Sequence, residues 1–250
     1  MGKWHQDFEY FVRDIDESDS FRQLGDVCFR HFQLWGVAMA SYSHLPPPGA
    51  SDYAPTFGVT SAGFPREWVS RYVNDSLFEL DPIPEMAFEQ MEPVWWSDAM
   101  RSPDLTPPQK HFFEVISEAK LGDGLGIPLF GAYGRNGYAG IGFGSERPNL
   151  SRMEILRLQW GCQLAHNRYC HLLRDFAPKG ISLSPRESEI LSWIAKGKSN
   201  SVIADIIGVS SNTVDTHLKR IYQKLDVTDR VTAALRGLAI GLIGRPAGDR

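Results

Sequence analysis

Residues 183–227 read LSPRESEILSWIAKGKSNSVIADIIGVSSNTVDTHLKRIYQKLDV. Ser184 and Glu187 have the spacing of a capping box, and Pro185 occupies the first helical position between them, so a helix is predicted to begin here. Gly197 ends the apolar periodicity, because glycine adopts the left-handed conformation of a helix end at little cost. The stretch therefore opens with one short amphipathic helix.

Two further helices are expected after it. The second begins near Ser199 and ends at a tight turn at Gly208, and Ser210 caps the third. Helical spacing defines one apolar stripe on each helix. The side chains expected to be buried are Ile190, Leu191, Ile194, Ala195, Val202, Ile203, Ile206, Ile207, Val214, Leu218, Ile221 and Leu225.

Two short helices joined by a glycine turn are typical of a helix-turn-helix, whose second helix enters the major groove. A plain helical bundle with a solvated face is the alternative for a generic pattern of this kind. Lys219, Arg220 and Lys224 are suited to phosphate contacts. The polar residues expected nearer the bases are Ser211, Asn212, Thr213, Asp215, Thr216 and His217.

The same stretch closely resembles the DNA-binding domain of LuxR-type regulators. The positions that carry the resemblance are Glu187, Leu191, Gly197, Ile203, Ala204, Val209, Ser210, Thr213, Val214, His217, Leu218, Ile221, Tyr222, Lys224 and Leu225. The resemblance implies an all-α four-helix domain whose last helix, residues 229–243, pairs two subunits. That helix carries an apolar stripe formed by Val231, Ala234, Leu235, Leu238 and Leu242.

The totals favour two domains in a chain of 250 residues with 12% aromatic residues. From Lys179 onward there are 11 Lys and Arg against 7 Asp and Glu, whereas the part before it has 15 against 23. A basic C-terminal module suits a polyanion. The three cysteines lack metal-ligand spacing, so we expect no metal site and buried thiols in a reducing compartment. No apolar run approaches the roughly 20 residues of a membrane span, and we expect a cytoplasmic protein without a membrane partner.

The N-terminal part is predicted to be an α/β/α sandwich around an antiparallel sheet, so the whole chain is classed as α+β. Strands are expected at residues 36–42, 56–60, 126–130 and 138–143, the last two as a hairpin, with helices on both sides. Pro178 and Gly180 break the pattern between two capped helices. The expected domains are residues 1–176 and 183–250, with a linker at 177–182.

Trp68, Tyr72, Asp81 and Trp96 form a constellation in the N-terminal part. Each also has an ordinary structural explanation, since aromatic pairs at helical spacing are mostly core and an Asp before a Pro is mostly a turn or cap. Their joint spacing, followed by Gly124-Leu-Gly-Ile-Pro128, resembles the acyl-homoserine-lactone-binding domain of LuxR-type quorum-sensing receptors.

The resemblance implies a role for each residue. Trp68 donates its indole N–H to the lactone carbonyl, Asp81 accepts the ligand amide N–H, and Tyr72 and Trp96 wall the pocket. The chemistry is sound, because an amide and a carbonyl taken out of water each need a partner.

Two positions depart from the family. Phe64 stands where a tyrosine is usual, and Gly142 where serine or threonine is frequent near the acyl chain. We therefore expect a pocket with fewer polar anchors and more room, suited to a long or bulky acyl group.

The sequence thus predicts a quorum-sensing transcription factor that binds a small-molecule autoinducer. It is expected to bind a near-palindromic promoter site as a homodimer and to contact RNA polymerase. The alternative is a solo LuxR-type regulator that responds to another small molecule or needs none. A phosphoacceptor domain is disfavoured, because no alternating βαβ pattern with an acidic cluster is seen. Catalysis and a cofactor are also disfavoured, because no nucleophile elbow, phosphate loop or metal-binding histidine pair is found.

Overall fold

The computed structural model describes residues 3–50, 59–176 and 181–243, with side chains for 8–50, 59–173 and 181–243. Contacts within the chain divide it into two compact units. The first is built on a β-sheet and the second on the four C-terminal helices, and each is described by itself.

The first unit contains a five-stranded sheet in the order β2-β1-β5-β4-β3. Every neighbouring pair in it is antiparallel. The strands are β1 (Met39–Leu45), β2 (Thr60–Ala62), β3 (Val94–Trp95), β4 (Gly124–Leu129) and β5 (Asn136–Gly142). The predicted hairpin is the β4–β5 pair, with Gly126 opposite Gly140.

Helices cover both faces of this sheet, which confirms the predicted sandwich. They are α1 (Lys3–Glu17), α2 (Phe21–Gln33), α3 (Arg66–Asn74), α4 (Ile83–Gln90), α5 (Trp96–Met100), α6 (Pro107–Glu118) and α7 (Arg152–Phe176). Side chains alternate across a strand. Tyr42 of β1 therefore packs on the core shared with α1, α2 and α7, whereas Met39 packs on the core shared with α3 to α6.

Some predicted boundaries are different in the structure. Strand β1 begins and ends three residues later than predicted, at Met39 and Leu45. The described part of the second strand is residues 60–62, while 56–58 of the prediction lie outside the described residues. Strand β3 and helix α5, which Trp96 begins, are additional to the predicted strands. Residues 177–180 of the predicted linker are also outside the described residues.

The second unit contains the predicted four helices. They are α8 (Pro185–Ala195), α9 (Asn200–Ile207), α10 (Ser211–Leu225) and α11 (Arg230–Ala239). The capping box of Ser184 and Glu187 is present. Ser199 and Ser210 cap α9 and α10, and Gly208 ends α9 with a φ of 70°. The last helix is shorter than predicted, since it stops at Ala239.

Most of the residues predicted to be buried are so, but Ile207 is half-buried and three others are exposed. Val202 and Ile206 are 40% and 45% exposed, and Ala195 is exposed as well. For Val202 and Ile206 the prediction was wrong because α9 has only eight residues and buries only the face that carries Ile203 and Ala204. Ala195 is the last residue of α8. None of the helices in the described residues combines the length and the apolarity that crossing a membrane requires.

Candidate ligand cavity and DNA-binding surface

A cavity of about 60 Å³ lies between one face of the sheet and the helices α3, α4 and α6. Five of the six residues predicted to bind ligand line it: Phe64, Trp68, Tyr72, Asp81 and Trp96. The remaining lining residues are Ser41, Ser43, Val59, Ser61, Val69, Ile83, Phe112, Ile116, Leu121, Tyr138 and Gly140. The fold thus brings together residues that are as far apart in the chain as Ser41 and Gly140.

Asp81 is the carboxylate of this cavity. It precedes α4, and its Oδ1 accepts a hydrogen bond from the Ile83 N–H at 2.9 Å. Its Oδ2 accepts one from the Tyr72 hydroxyl at 2.8 Å. Burial raises the pKa of Asp81 to about 6, although both hydrogen bonds act in the opposite direction. The side chain is therefore an acceptor whose charge depends on pH within the physiological range.

Aromatic rings form the walls around Asp81. Trp68 and Tyr72 lie one turn apart on α3 with ring centroids 5.8 Å apart, and both contact Phe112 of α6 at 6.4 Å. Phe64 and Trp96 form a second pair at 6.5 Å. Burial also raises the pKa of Tyr72, so its hydroxyl stays protonated and donates a hydrogen bond to Asp81.

Gly142, the sixth predicted residue, is not among the lining residues. A Cβ built on it would lie 2.8 Å from the Met39 side chain and 3.0 Å from the Trp96 ring. The space that the missing side chain leaves is therefore filled by these two neighbours. The expectation of extra room at this position was wrong for that reason.

Hydroxyl groups in the cavity are a feature that the sequence analysis missed. Ser41 and Ser43 of β1, Ser61 of β2 and Tyr138 of β5 all line it. Burial, and to a smaller extent the charge of Asp81, raises the pKa of Tyr138 well above its ordinary value. These hydroxyls lie at positions other than 64 and 142, where fewer polar anchors were expected. The alternation of serines with apolar residues along β1 was a signal that could have revealed them.

In the second unit, the residues predicted to bind DNA share one side of α10 but differ in exposure. Ser211, Asn212, Asp215 and Thr216 are exposed, as are Lys219 and Arg220. Thr213 and His217 are half-buried. The apolar residues on the opposite side, Val214, Leu218, Ile221 and Leu225, are all buried. This polarity is what a helix lying in a groove requires.

Asp215 belongs to a hydrogen-bonded group that links three helices. Its Oδ1 accepts from the Asn200 side-chain amide at 2.6 Å, and the Asn200 oxygen accepts from Arg230 at 2.8 Å. Arg230 also donates to the Lys198 carbonyl oxygen. Asp215 therefore helps to fix α9 and α11 against α10.

Lys224 forms an ion pair inside the helical unit. Its Nζ lies 2.6 Å from Oε2 of Glu187, which is buried on α8. Burial alone raises the pKa of Glu187, but hydrogen bonds from Lys224 and Ser184 outweigh it and lower the pKa overall. Nearby, Arg186 donates to the Ile207 carbonyl at the end of α9 at 2.6 Å. Lys224 was predicted to contact phosphate, and its ion pair with Glu187 was not predicted.

Comparison with known protein families gives two matches. Residues 20–169 match the model of the autoinducer binding domain, and residues 181–236 match that of bacterial regulatory proteins of the luxR family. The first match covers more than half of the chain and includes all the cavity-lining residues.

Individual relatives agree with the family models. The transcriptional regulator RpaR of Rhodopseudomonas palustris, described as quorum-sensing-dependent, is 33% identical over 72% of this chain and 73% of its own. The activator AnoR of Acinetobacter nosocomialis is 27% identical over 72% of this chain and 76% of its own. The crystal structure of Escherichia coli SdiA has the same fold, with a TM-score of 0.73 and 20% identity over 98% of this chain and 100% of its own. The chain therefore belongs to the LuxR family of DNA-binding transcriptional regulators, non-enzymatic proteins that carry an autoinducer-binding domain.

Proposed function

We propose that the chain is a quorum-sensing regulator whose first unit binds an N-acyl-homoserine lactone through Asp81 and Trp68. The observation that carries this proposal is the meeting of a half-buried carboxylate acceptor, an indole donor and aromatic walls in one cavity. An acyl-homoserine lactone presents an amide N–H and carbonyl oxygens, which need an acceptor and donors of this kind when they leave water.

The cavity volume sets a condition on binding. Sites for molecules of this size measure about 300–1,000 Å³, whereas the cavity holds about 60 Å³. Lining side chains must therefore move when the ligand enters. The rings of Trp68, Tyr72 and Phe112, which contact one another, are the groups whose displacement opens most space. Ligand uptake is then coupled to repacking of the core, and a ligand that binds only the repacked state stabilises it.

The DNA-binding half of the proposal rests on α10. Asn212 and Thr213 are assigned to base edges, and Lys219 and Arg220 to phosphates. Lys224 is assigned to its ion pair with Glu187. Exposed apolar residues on α11 favour a homodimer, because Val231, Leu235 and Leu238 are 67%, 38% and 43% exposed. Two copies would present two α10 helices to a near-palindromic promoter in the cytoplasm, where RNA polymerase is also a partner.

The test is a thermal-shift and co-purification series. The full-length protein is mixed with N-acyl-homoserine lactones of increasing chain length, and Tm and bound mass are measured. We expect the cognate lactone to raise Tm and to remain bound through purification. Asp81→Asn and Trp68→Phe should lose this effect, whereas the matched variants of exposed residues, Asp75→Asn and Trp160→Phe, should keep it. Failure of every lactone to raise Tm would contradict the proposed ligand.

A regulator of a different small molecule is the second candidate. The hydroxyls of Ser41, Ser43, Ser61 and Tyr138 favour it, since they equip the cavity for a ligand with more polar groups than an alkyl chain has. Mass spectrometry of small molecules extracted from the purified protein distinguishes the two candidates.

A further inference from the structure

We propose that His44, His166 and Cys170 form a Zn²⁺-binding site on the sheet face opposite the ligand cavity. One nitrogen of each histidine and the thiol sulfur lie within 4.8 Å of one another. His44 comes from β1, and the other two come from α7, so an ion here would connect the sheet to its longest helix. The site is independent of the proposed function.

The spacing of the ligands suits a small thiophilic cation. His166 and Cys170 are four residues apart and therefore share one face of α7. The Cys170 sulfur lies 3.7 Å from Nε2 of His166. In a tetrahedral zinc site, bonds of about 2.0–2.3 Å place neighbouring N and S ligands roughly 3.5 Å apart. The pair on α7 is close to this distance already, and His44 needs a movement of about 1 Å to complete the set.

A tyrosine fixes the orientation of the central histidine. The Tyr42 hydroxyl lies 2.8 Å from Nδ1 of His166. This contact directs the other nitrogen, Nε2, toward Cys170. A hydrogen bond to the nitrogen that does not bind the ion is the usual second contact of a metal-binding histidine, because it holds the ring and its tautomer.

Strand β5 leaves space for the His166 ring at Gly137. His166 is 1% exposed and lies against Gly137, which pairs with His44 across the β1–β5 ladder. A Cβ at Gly137 would come within 2.8 Å of Nδ1 of His166. The absence of a side chain at this position therefore allows His166 to reach the strand beside His44.

Two imidazoles and one thiolate are ligands that favour Zn²⁺ over Mg²⁺ or Ca²⁺. Binding breaks the S–H bond of Cys170, forms a Zn–S bond and releases one proton to solvent, while both histidines bind as neutral rings. Water completes a tetrahedral set. It can enter from a separate cavity of about 360 Å³ that His166 also lines.

Cobalt substitution tests the site in the full-length, reduced protein. We expect one equivalent of Co²⁺ to produce thiolate-to-cobalt absorption in the near ultraviolet and the visible bands of a tetrahedral ion. Cys170→Ser should remove the ultraviolet band, and His44→Gln should weaken binding about tenfold or more. His171→Gln, which changes an exposed histidine beside Cys170, and Cys28→Ser should bind as the wild type does. Absence of the bands from the wild type, or their survival in Cys170→Ser, would overturn the proposal.

A second measurement needs no variant, so it holds even if a substitution disturbs folding. Iodoacetamide labelling of the wild-type protein is followed at each cysteine by mass spectrometry. Equimolar Zn²⁺ should slow the labelling of Cys170 about tenfold or more and leave Cys28 unchanged. Equal labelling rates of Cys170 with and without Zn²⁺ would exclude the site.

Discussion

The hydroxyl of Tyr72 donates a hydrogen bond of 2.8 Å to Oδ2 of Asp81. The two residues are nine positions apart, on α3 and just before α4, and the cavity surrounds both. The bond keeps one carboxylate oxygen oriented in a place where water has little access. Asp81 is also the proposed ligand acceptor, and burial raises its pKa to about 6.

The stability of the protein should therefore depend on Asp81 in a defined pH window. Its pKa is about 6 in the folded state and 3.8 ordinarily, so the folded state binds the proton more tightly. Protonation of Asp81 therefore stabilises the folded state fully below about pH 4, and this contribution is lost as pH rises through 6. Between pH 4 and 7, the free energy of unfolding of Asp81→Asn should change by about 2–3 kcal/mol less than that of the wild type. Urea denaturation of both proteins measures it, and parallel curves would contradict the assignment.

Tyr72→Phe should shift the pH range in which stability depends on Asp81 to higher pH. The hydroxyl stabilises the charged carboxylate, so its loss raises the pKa of Asp81 further. The pH midpoint of the stability change should rise by about half a unit or more. Trp160→Phe, a variant of an exposed ring, should leave the midpoint in place.

The same titration should control ligand affinity if the proposed lactone contact is correct. A ligand amide N–H prefers the charged form of Asp81, so affinity should be constant above about pH 7 and fall about tenfold per unit well below pH 6. Calorimetry in two buffers of different ionisation enthalpy should detect proton release on binding at pH 5.5. Absence of proton release would mean that Asp81 does not contact the ligand in its charged form.

Lys224→Met should weaken folding more than it changes DNA binding. It leaves Glu187 buried without its ammonium partner, which we expect to cost about 1–3 kcal/mol, because Lys224 is 41% exposed and water partly screens the pair. Chemical denaturation measures this loss. Restoration of wild-type stability in the double variant Lys224→Met, Glu187→Gln would identify the unpaired charge as the cause.

Lys219→Gln and Arg220→Gln should weaken DNA binding and leave folding stability unchanged. Both side chains are exposed on α10, so folding stability should be unchanged. Each variant should flatten the plot of log affinity against log salt concentration by about one for each phosphate contact removed, or about two in a dimer. A salt slope equal to that of the wild type would remove that residue from the interface.

Leu235→Glu should convert a dimer to monomers and weaken binding to a two-half-site operator. The residue is 38% exposed beside Val231 and Leu238 on α11. A buried charge without a partner opposes association. Sedimentation velocity measures the change, with Leu34→Glu, another exposed leucine, as the control. An unaltered sedimentation coefficient would place the dimer contact elsewhere.

The helical unit was predictable from sequence because its signals are local. Ser184, Ser199 and Ser210 each cap the helix that they were predicted to cap, and Gly208 adopts the left-handed conformation of the turn. Capping and glycine turns depend on residues a few positions apart. The exposure of Val202 depends on which face of α9 meets its neighbours, and spacing alone does not contain that information.

The cavity was predictable only in part. Tyr72 and Asp81 are close in the chain, and the family resemblance pointed to them. Ser43 and Tyr138 reach the same cavity because β1 and β5 pair in a register that sets them side by side. That register is fixed by the whole sheet. The alternation along β1 could have shown that its serines share a face, but their placement beside Tyr138 could not be assigned before the strands were paired.

Arg186 and Glu187, adjacent on α8, form hydrogen bonds with the ends of two different helices. Arg186 holds the last turn of α9 through the Ile207 carbonyl, and Glu187 holds the last turn of α10 through Lys224. Side chains of α8 therefore help to hold both α9 and α10 in place. The conformation of the helix-turn-helix therefore depends on two neighbouring residues of a helix that lies outside it.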